Sequence, residues 1–242
     1  DLHLSLRRQR QMCIRDRRVS AVIDEPIPHP GWLKVFMQLM KLRVIVLLQI
    51  TAICAILVHD LLARHQLIDV ERSWTDTLLT ILLTVVAGTL SAGGSNSINM
   101  WYDADIDPHM RRTKNRPVPL GHISARGALV FGLTIAIFGS SLFFLVHWKA
   151  AFWSFFSVAF YVFVYSIWLK RRTPQNIVIG GLAGSTPPLI GWAAAAGNSI
   201  AGSNMLDLGS PVPWMLFFLR TCFILRPKLL ENATLVPSVY FL

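Results

Sequence analysis

The sequence has 242 residues, of which 53% are hydrophobic and only 15% are charged, and its mean hydropathy is +0.50. A soluble domain carries about a quarter charged residues, so this composition argues against a soluble globular protein. Lys and Arg outnumber Asp and Glu by 23 to 13, but a nucleic-acid-binding domain with this charge would not also be this apolar. High hydropathy with a basic excess is typical of a polytopic membrane protein. The three cysteines lie far apart and indicate neither a disulfide framework nor a zinc site.

Five apolar stretches have the length, or nearly the length, that a helix needs to cross a bilayer, which is roughly 20 residues. In chain order they are Val44–Val58, Thr77–Ser95, Gly127–Val146, Ala150–Leu169 and Ile177–Gly197. Residues 35–42 are apolar enough to extend the first stretch, and a sixth run, Pro213–Leu219, stops at Arg220. The pattern predicts an all-α, polytopic transmembrane helix bundle.

The basic residues between these stretches alternate between many and few. Nine precede Val44, two follow the first stretch, five lie in 99–126, one follows the third stretch, three lie in 170–176 and none in 198–212. Because cytoplasmic loops carry the excess of Lys and Arg, we expect the N-terminus and the loops 99–126 and 170–176 to be cytoplasmic.

Both ends of the sequence differ from the rest. Residues 1–17 are basic, lack the apolar core of a secretory signal and are interpreted as a non-native leader, with a basic cytoplasmic tail as the alternative. From Arg220 onward charges interrupt the sixth run, where a charge in mid-bilayer would be expensive. We therefore expect residues 18–218 to be the membrane domain and 219–242 to be a frameshifted or truncated tail.

Three oxygen-bearing side chains follow the second stretch at helical spacing. Asn99, Asp103 and Asp107 stand at i, i+4 and i+8, which on a continuous helix places them on one face, whereas Asp105 points to the other side. Mg²⁺ prefers oxygen ligands and typically bridges carboxylates to substrate phosphates. The pattern predicts a site in which these three residues bind Mg²⁺ and carry the catalysis.

Cations follow this motif and recur at the end of the fourth stretch. Arg111, Arg112, Lys114 and Arg116 come directly after the motif, and Lys170, Arg171 and Arg172 form the second cluster. Arg and Lys bind phosphate oxygens, so acids and cations interleaved in this way indicate a diphosphate site. Loop topology alone would also place cations here, and for Lys114 and for the 170–172 cluster both interpretations stay open.

The fifth stretch combines small residues with two prolines. The run Gly180–Gly184 lacks the spacing of a nucleotide-binding loop and favours close helix packing. Pro187 and Pro188 are expected to kink the helix or to open a cavity in it.

The spacing of Asn99, Asp103 and Asp107 resembles the first aspartate-rich motif of the UbiA superfamily of intramembrane prenyltransferases. Longer segments are similar to the protohaem IX farnesyltransferases, or haem O synthases, within it. These segments are 99–107 (NMWYDADID), 112–119 (RTKNRPVP), 168–181 (WLKRRTPQNIVIGG) and 187–192 (PPLIGW). The resemblance covers roughly residues 32–218.

The resemblance implies a bundle of nine spans, of which five or six are present here, around a central cavity. It implies transfer of a farnesyl group from farnesyl diphosphate to a vinyl group of haem B, which gives haem O in the biosynthesis of the cytochrome oxidase cofactor. Mg²⁺ would bridge the diphosphate to the aspartate motif, and haem B would be a substrate. The cations implied for the diphosphate are Arg112, Lys114, Arg116, Lys170 and Arg171. The setting would be the inner membrane, with a downstream haem-modifying enzyme as partner and no nucleic acid.

The sequence departs from the family in its last part. A histidine-containing sixth span, a second acidic loop and three further spans have no counterpart before Leu242, so a chain ending there is expected to be inactive. No histidine is assigned to haem. Two alternatives stay open: a UbiA-type prenyltransferase for another acceptor, such as a quinone precursor, and an ion-coupled membrane transporter.

Overall fold

The computed structural model describes residues 31–65, 67, 72–110, 113–170, 172, 176–197, 208 and 210–221, and the elements within these ranges are helical. The helices are α1 (Trp32–Met40), α2 (Leu42–Arg64), α3 (Trp74–Tyr102), α4 (Ala125–Leu142), α5 (Trp148–Ala159), α6 (Asn176–Ser185), α7 (Pro187–Ala196) and α8 (212–221). A 3₁₀ turn, Phe143–Leu145, extends α4, and a π-helical segment, Phe160–Leu169, extends α5. The expectations for residues 1–17 and for most of the tail concern residues outside these ranges.

Four helices among the described residues are long and apolar enough to cross a membrane. They are Leu42–Arg64, Trp74–Tyr102, Ala125–Leu145 and Trp148–Leu169, which confirms the first four predicted spans. Many of their large apolar side chains face outward, for example Leu78 and Leu82 with 65% and 61% of their surface exposed. In a bilayer these side chains contact lipid, and the chain is a multi-pass membrane protein.

The fifth predicted span is not one continuous helix. It consists of α6 and α7, each ten residues long, which meet at Thr186. Pro187 and Pro188 lack the backbone N–H groups that would bond to the preceding turn, so the helix restarts there. The expectation of a kink or cavity at these prolines agrees with this break.

The region before the first span is also interrupted. α1 ends at Met40 and α2 begins at Leu42, because Lys41 adopts a left-handed conformation with φ 54° and ψ 54°. The hydropathy of residues 35–42 suggested that they extend the first span. The break at Lys41 shows that they do not.

α3 and α4 approach each other closely along a line of small residues. A Cβ atom on Gly94 would lie 2.5 Å from the backbone of Gly132 and Ala136, and one on Gly139 would lie 2.5 Å from the nitrogen of Ser91. Small residues at these crossings allow backbones to touch, which is a common way for membrane helices to associate.

The inner face of α3 is polar and its outer face is apolar. The buried residues include Thr77, Thr80, Thr84, Ser91, Ser95, Asn96, Ser97 and Asn99. The Ser91 hydroxyl, for example, is 3.1 Å from the hydroxyls of both Ser140 on α4 and Ser154 on α5. Hydrogen bonds of this kind join helices inside a membrane protein.

One end of the bundle is joined by a buried ion pair. The Asp60 carboxylate accepts hydrogen bonds from Thr77 Oγ1 at 2.5 Å and pairs with Arg72 Nε at 3.4 Å and with His59 Nδ1 at 3.0 Å. Arg72 also donates to the Thr80 hydroxyl at 2.6 Å and to the carbonyl oxygen of Ala195. This network connects α2, α3 and α7.

The chain directions of the four long helices define the opposite end. The starts of α2 and α4 and the ends of α3 and of the π-helical segment lie there, since consecutive spans run in alternate directions. Lys41, the aspartate motif and Lys170 are therefore found at the same end of the bundle, which positions the candidate site.

Candidate functional site at the aspartate motif

The aspartate motif lies where α3 ends. α3 stops at Tyr102, so Asp103 caps the helix and Asp107 begins a short 3₁₀ turn, Asp107–His109. The prediction of one continuous helical face is therefore wrong beyond Tyr102. The backbone N–H of Asp107 still donates to the carbonyl of Asp103 at 2.9 Å, so the turn keeps the side chains of the motif together. Asn99, Asp103 and Asp107 are only 2–3% exposed.

Asp103 is paired with Lys170 from the end of the π-helical segment. The Lys170 ammonium forms an ion pair with Asp103 Oδ2, and the Asn99 amide donates to the same oxygen at 3.3 Å. Asn99 Oδ1 accepts from the Ser166 hydroxyl at 3.1 Å and from Lys170 at 3.4 Å. These contacts bring the end of the second span and the end of the fourth together, and the predicted binding of a diphosphate by Lys170 stays a prediction.

Asp107 is paired with Arg116 from the loop that follows. Arg116 Nη1 donates to both carboxylate oxygens of Asp107, at 2.9 and 2.7 Å, and lies 3.7 Å from Asp103 Oδ2. The Thr113 hydroxyl donates to the backbone carbonyl of Asp107 at 3.2 Å. Arg116 therefore interacts with both carboxylates and folds the loop back over the site.

In the described part of the chain, the other predicted site residues are not shown in contact with the two buried carboxylates. Lys114 lies in the same loop as Arg116, but its side chain is exposed. Asp105 is exposed as well, in agreement with its expected orientation. Arg112 and Arg171 lie outside the described residues, so their predicted contacts with a diphosphate stay predictions.

Sequence reasoning did not assign several residues around the site. The Tyr161 hydroxyl donates to Asn96 Oδ1 at 3.4 Å, one helical turn before Asn99, and Ser166 supports Asn99 itself. Lys41, at the start of α2, is electrostatically coupled to both carboxylates and to both paired cations. Burial is the main cause that lowers the pKa of Lys41 to about 8, and the neighbouring charges of Arg116 and Lys170 lower it further.

The donor set fits a hard divalent cation. Two buried carboxylates and one amide oxygen are oxygen ligands of the kind that Mg²⁺ accepts, and water and substrate oxygens usually complete its shell. Within the described ranges no cluster of three or more His, Cys, Asp or Glu side chains could hold a metal ion. Protein ligands at this site would therefore be few, which is usual for Mg²⁺ that also binds substrate phosphates.

An apolar cavity of about 190 Å³ lies between the helices of the bundle. Its lining comes from α2, α3, α6, α7 and from α5 with its π-helical extension, and it includes Leu48, Val158, Ile190 and the break at Thr186. Asn96 and Tyr161 also line it, so its wall extends along α3 to within one helical turn of Asn99. The cavity and the charged site therefore share one wall of α3.

Comparison with known proteins assigns the chain to a family. Residues 44–229, more than half of the chain, match the UbiA prenyltransferase family. The chain belongs to the UbiA prenyltransferase family. The helical bundle with its candidate membrane spans is in accord with this membership.

Similar proteins share one name. The chain is 46% identical over 178 residues to "Protoheme IX farnesyltransferase" of Bartonella henselae, a match over 72% of this chain and 52% of that protein. Proteins of the same name from Parvibaculum lavamentivorans and Bartonella quintana are 46% and 42% identical, over 67% and 79% of this chain and 48% and 58% of theirs. The chain thus spans about half the length of the curated relatives it matches.

A solved structure shares the fold. The chain is similar to a digeranylgeranylglyceryl phosphate synthase with a TM-score of 0.62 and 20% identity, over 83% of this chain and 62% of that one. At this identity the likeness shows the helical architecture alone.

Proposed function

We propose that the protein to which this chain belongs is a protohaem IX farnesyltransferase. It joins the farnesyl group of farnesyl diphosphate to a vinyl group of haem B, with release of diphosphate and addition of one water, and yields haem O with its hydroxyethylfarnesyl chain. The observation that carries the proposal is the buried pair Asp103 and Asp107, held by Lys170 and Arg116 at the end of α3, the helix that also lines the apolar cavity. The relatives named for this activity favour haem B as the acceptor.

The charged end of the site would bind the diphosphate. Asn99, Asp103 and Asp107 would hold Mg²⁺, which as a Lewis acid stabilises the charge that develops on a diphosphate leaving group. Arg116 and Lys170 now neutralise the carboxylates, and both can turn to phosphate oxygens when a metal takes over that role. Lys114, Arg112 and Arg171 are proposed as further cations on the diphosphate.

The apolar cavity would accommodate the isoprenoid. Its walls are mainly hydrocarbon. Some of the polar side chains in them form hydrogen bonds with each other, as Tyr161 and Asn96 do. A site that excludes water protects a reactive carbocation from hydrolysis. The shared wall of α3 allows the chain of the substrate to lie in the cavity while its diphosphate reaches the aspartate motif.

The setting is proposed from the charge pattern. The loops with most cations, 99–126 and 170–176, would face the cytoplasm, as would the N-terminus, in a bacterial inner membrane. Haem O would then pass to a haem-modifying enzyme, since a farnesylated haem still has ring substituents that can be oxidised.

The test uses this chain extended by the C-terminal part of the Bartonella henselae relative, because the chain spans about half of that protein. Membranes containing the chimera are incubated with farnesyl diphosphate, haem B and Mg²⁺, and products are separated and identified by mass spectrometry. We expect haem O, and none when EDTA removes the metal. Prenylation of a hydroxybenzoate acceptor without haem O would refute the assignment and support the quinone-precursor alternative.

A further inference from the structure

Lys41 has an unusual backbone. Among the described residues it is the single non-glycine residue at positive φ, with φ 54° and ψ 54°. An L-residue with a long side chain seldom adopts this conformation, and such strain is found most often at functional sites, where the surrounding structure maintains it.

Contacts with α3 hold the backbone at this position. The Asn96 amide donates to the carbonyl oxygen of Met40 at 3.0 Å, and the Met40 side chain packs where a Cβ on Gly93 would otherwise be. On the other side, the N–H of Val44 donates to the Lys41 carbonyl at 3.0 Å. The α1–α2 junction is therefore fixed to the turn of α3 that precedes Asn99.

The side chain of Lys41 belongs to the charged site. Its ammonium interacts with Asp103 and Asp107, which favour its charge, and with Arg116 and Lys170, which oppose it. Arg116 and Lys170 each have a direct carboxylate partner. Lys41 thus adds a third cation to two carboxylates, and the five groups together carry a net positive charge.

A metal ion would enlarge this imbalance. If the two carboxylates bind a divalent cation, the three cations lose their neutralising partners, and an anion with several charges is needed to balance the site. A diphosphate group, with oxygens on two phosphorus atoms, can contact cations from three directions.

We propose that Lys41, at the start of α2, binds the diphosphate of the prenyl donor together with Arg116 and Lys170. The inference rests on the proposed function, since it names a further residue for that substrate. The left-handed turn separates α1 from α2, and the contacts with α3 fix it beside the turn that precedes Asn99.

The variants separate the charge from the backbone. Lys41→Gly removes the ammonium but fits positive φ without strain, whereas Lys41→Arg retains the charge. Arg43→Ala is the matched control, because Arg43 is an exposed cation two residues away. The full chain is placed in lipid nanodiscs, and the Kd for pyrophosphate in the presence of Mg²⁺ is measured by calorimetry.

We expect Lys41→Gly to weaken pyrophosphate binding about tenfold or more, the loss typical of one charged hydrogen bond. Lys41→Arg and Arg43→Ala should stay near the wild-type Kd. Wild-type affinity in Lys41→Gly would overturn the inference and leave the proposed function intact. A wild-type chain that does not bind pyrophosphate would refute the diphosphate site as a whole.

A second measurement identifies the residue directly. The chain is treated with an amine-reactive reagent with and without Mg²⁺ and pyrophosphate, and labelling of each lysine is measured by mass spectrometry. Protection of Lys41 together with Lys170, but not of the exposed Lys34, is the expected result. Labelling of Lys41 that pyrophosphate leaves unchanged, while haem B reduces it, would assign Lys41 to the acceptor and overturn the inference.

Discussion

Asp103 and Asp107 are buried next to different cations, one from the loop that follows them and one from 67 residues further along the chain. Burying two carboxylates is costly unless each is paired and hydrogen-bonded. Here Lys170 pairs with Asp103 and Asn99 donates a hydrogen bond to it, and Arg116 pairs with Asp107. The pairs keep the motif folded in the absence of substrate.

Asp103→Asn and Asp107→Asn should each weaken binding of Mg²⁺ and pyrophosphate by at least tenfold, because an amide removes the charge that attracts the metal. In the chimera, Asp103→Asn should abolish haem O formation. Calorimetry and product analysis provide the two measurements. Asp105→Asn is the control, since Asp105 is an exposed carboxylate in the same motif. An effect of equal size in Asp105→Asn would contradict the metal-site assignment.

The affinity for pyrophosphate should fall as pH rises through about 8. Burial lowers the pKa of Lys41 to about 8, with Arg116 and Lys170 lowering it and Asp103 and Asp107 raising it. Below that pH the ammonium is charged and attracts the anion, and above it the amine is neutral. The Kd of the wild type is therefore expected to increase between pH 7 and 9 more than the Kd of Lys41→Arg, which stays charged. Equal pH dependence in the two proteins would contradict the prediction, since ionisation of pyrophosphate affects both alike.

The spacing of Asn99, Asp103 and Asp107 was sufficient to predict that these side chains lie together, because i, i+4 spacing survives a helix end that continues in a turn. Their role as a metal site stays a prediction. Lys41 was not predictable in the same way. A lysine before a membrane span has the same sequence pattern as any other cation that sets topology. Neither its left-handed backbone nor its electrostatic interaction with Asp103 and Asp107 has a signal in the sequence.

At the scale of the helices, α3 and α4 form a closely packed pair, and the motif lies at the end of α3. Their backbones meet at Gly94, Gly132 and Gly139, where no side chain separates them. Such contacts depend on shape alone, so they are sensitive to a single methyl group.

Gly94→Ala should lower the Tm of the chain in detergent by several degrees, because its Cβ would lie 2.5 Å from backbone atoms of α4 and overpacking costs about 1–3 kcal/mol. Gly88→Ala is the control on the same helix, where the added atom meets only the side chain of Gln49. Thermal unfolding followed by circular dichroism measures both. A Gly88→Ala variant less stable than Gly94→Ala would argue against the close crossing.

Hydropathy predicted four of the helices well but could not predict how the chain deviates from ideal geometry. The end of the fourth span is π-helical from Phe160 to Leu169, and its wider turn lets both Tyr161 and Lys170 contact α3. At 3.6 residues per turn these two residues, nine apart, would point to opposite sides. The apolar run alone contains no signal for the wider turn, since every position in it is compatible with an α-helix.

Considered as a whole, the bundle has charged groups at both ends with different roles. The aspartate motif, Lys41 and Lys170 lie at one end, and the pair of Asp60 and Arg72 lies at the other. α2 alone separates them by 19 residues from Lys41 to Asp60, or roughly 28 Å at 1.5 Å per residue. Asp60 and Arg72 form several hydrogen bonds and ion pairs within the protein and join three helices, which indicates a structural role.

Arg72→Met should destabilise the chain by about 3 kcal/mol, because removing one partner leaves the Asp60 charge buried without its cation. The Kd for Mg²⁺ and pyrophosphate should not change, since the site lies at the other end. Thermal unfolding and calorimetry on the same preparation separate the two effects. Arg64→Met, which removes an exposed cation stacked on Trp74, is the control. Loss of pyrophosphate binding at unchanged Tm would contradict the structural role.

At the break between α6 and α7, the backbone groups in the wall of the cavity are bonded within the chain. Pro187 and Pro188 have no N–H to solvate, the N–H of Thr186 and its hydroxyl both donate to the carbonyl of Ala183, and the N–H of Leu189 donates to Thr186. A helix broken inside a membrane usually attracts water to its free donors, but here the chain itself satisfies them. In the proposed reaction, water is the simplest competitor for the allylic cation. A break whose own donors are already bonded would therefore favour transfer of the prenyl group to its acceptor over its loss as an alcohol.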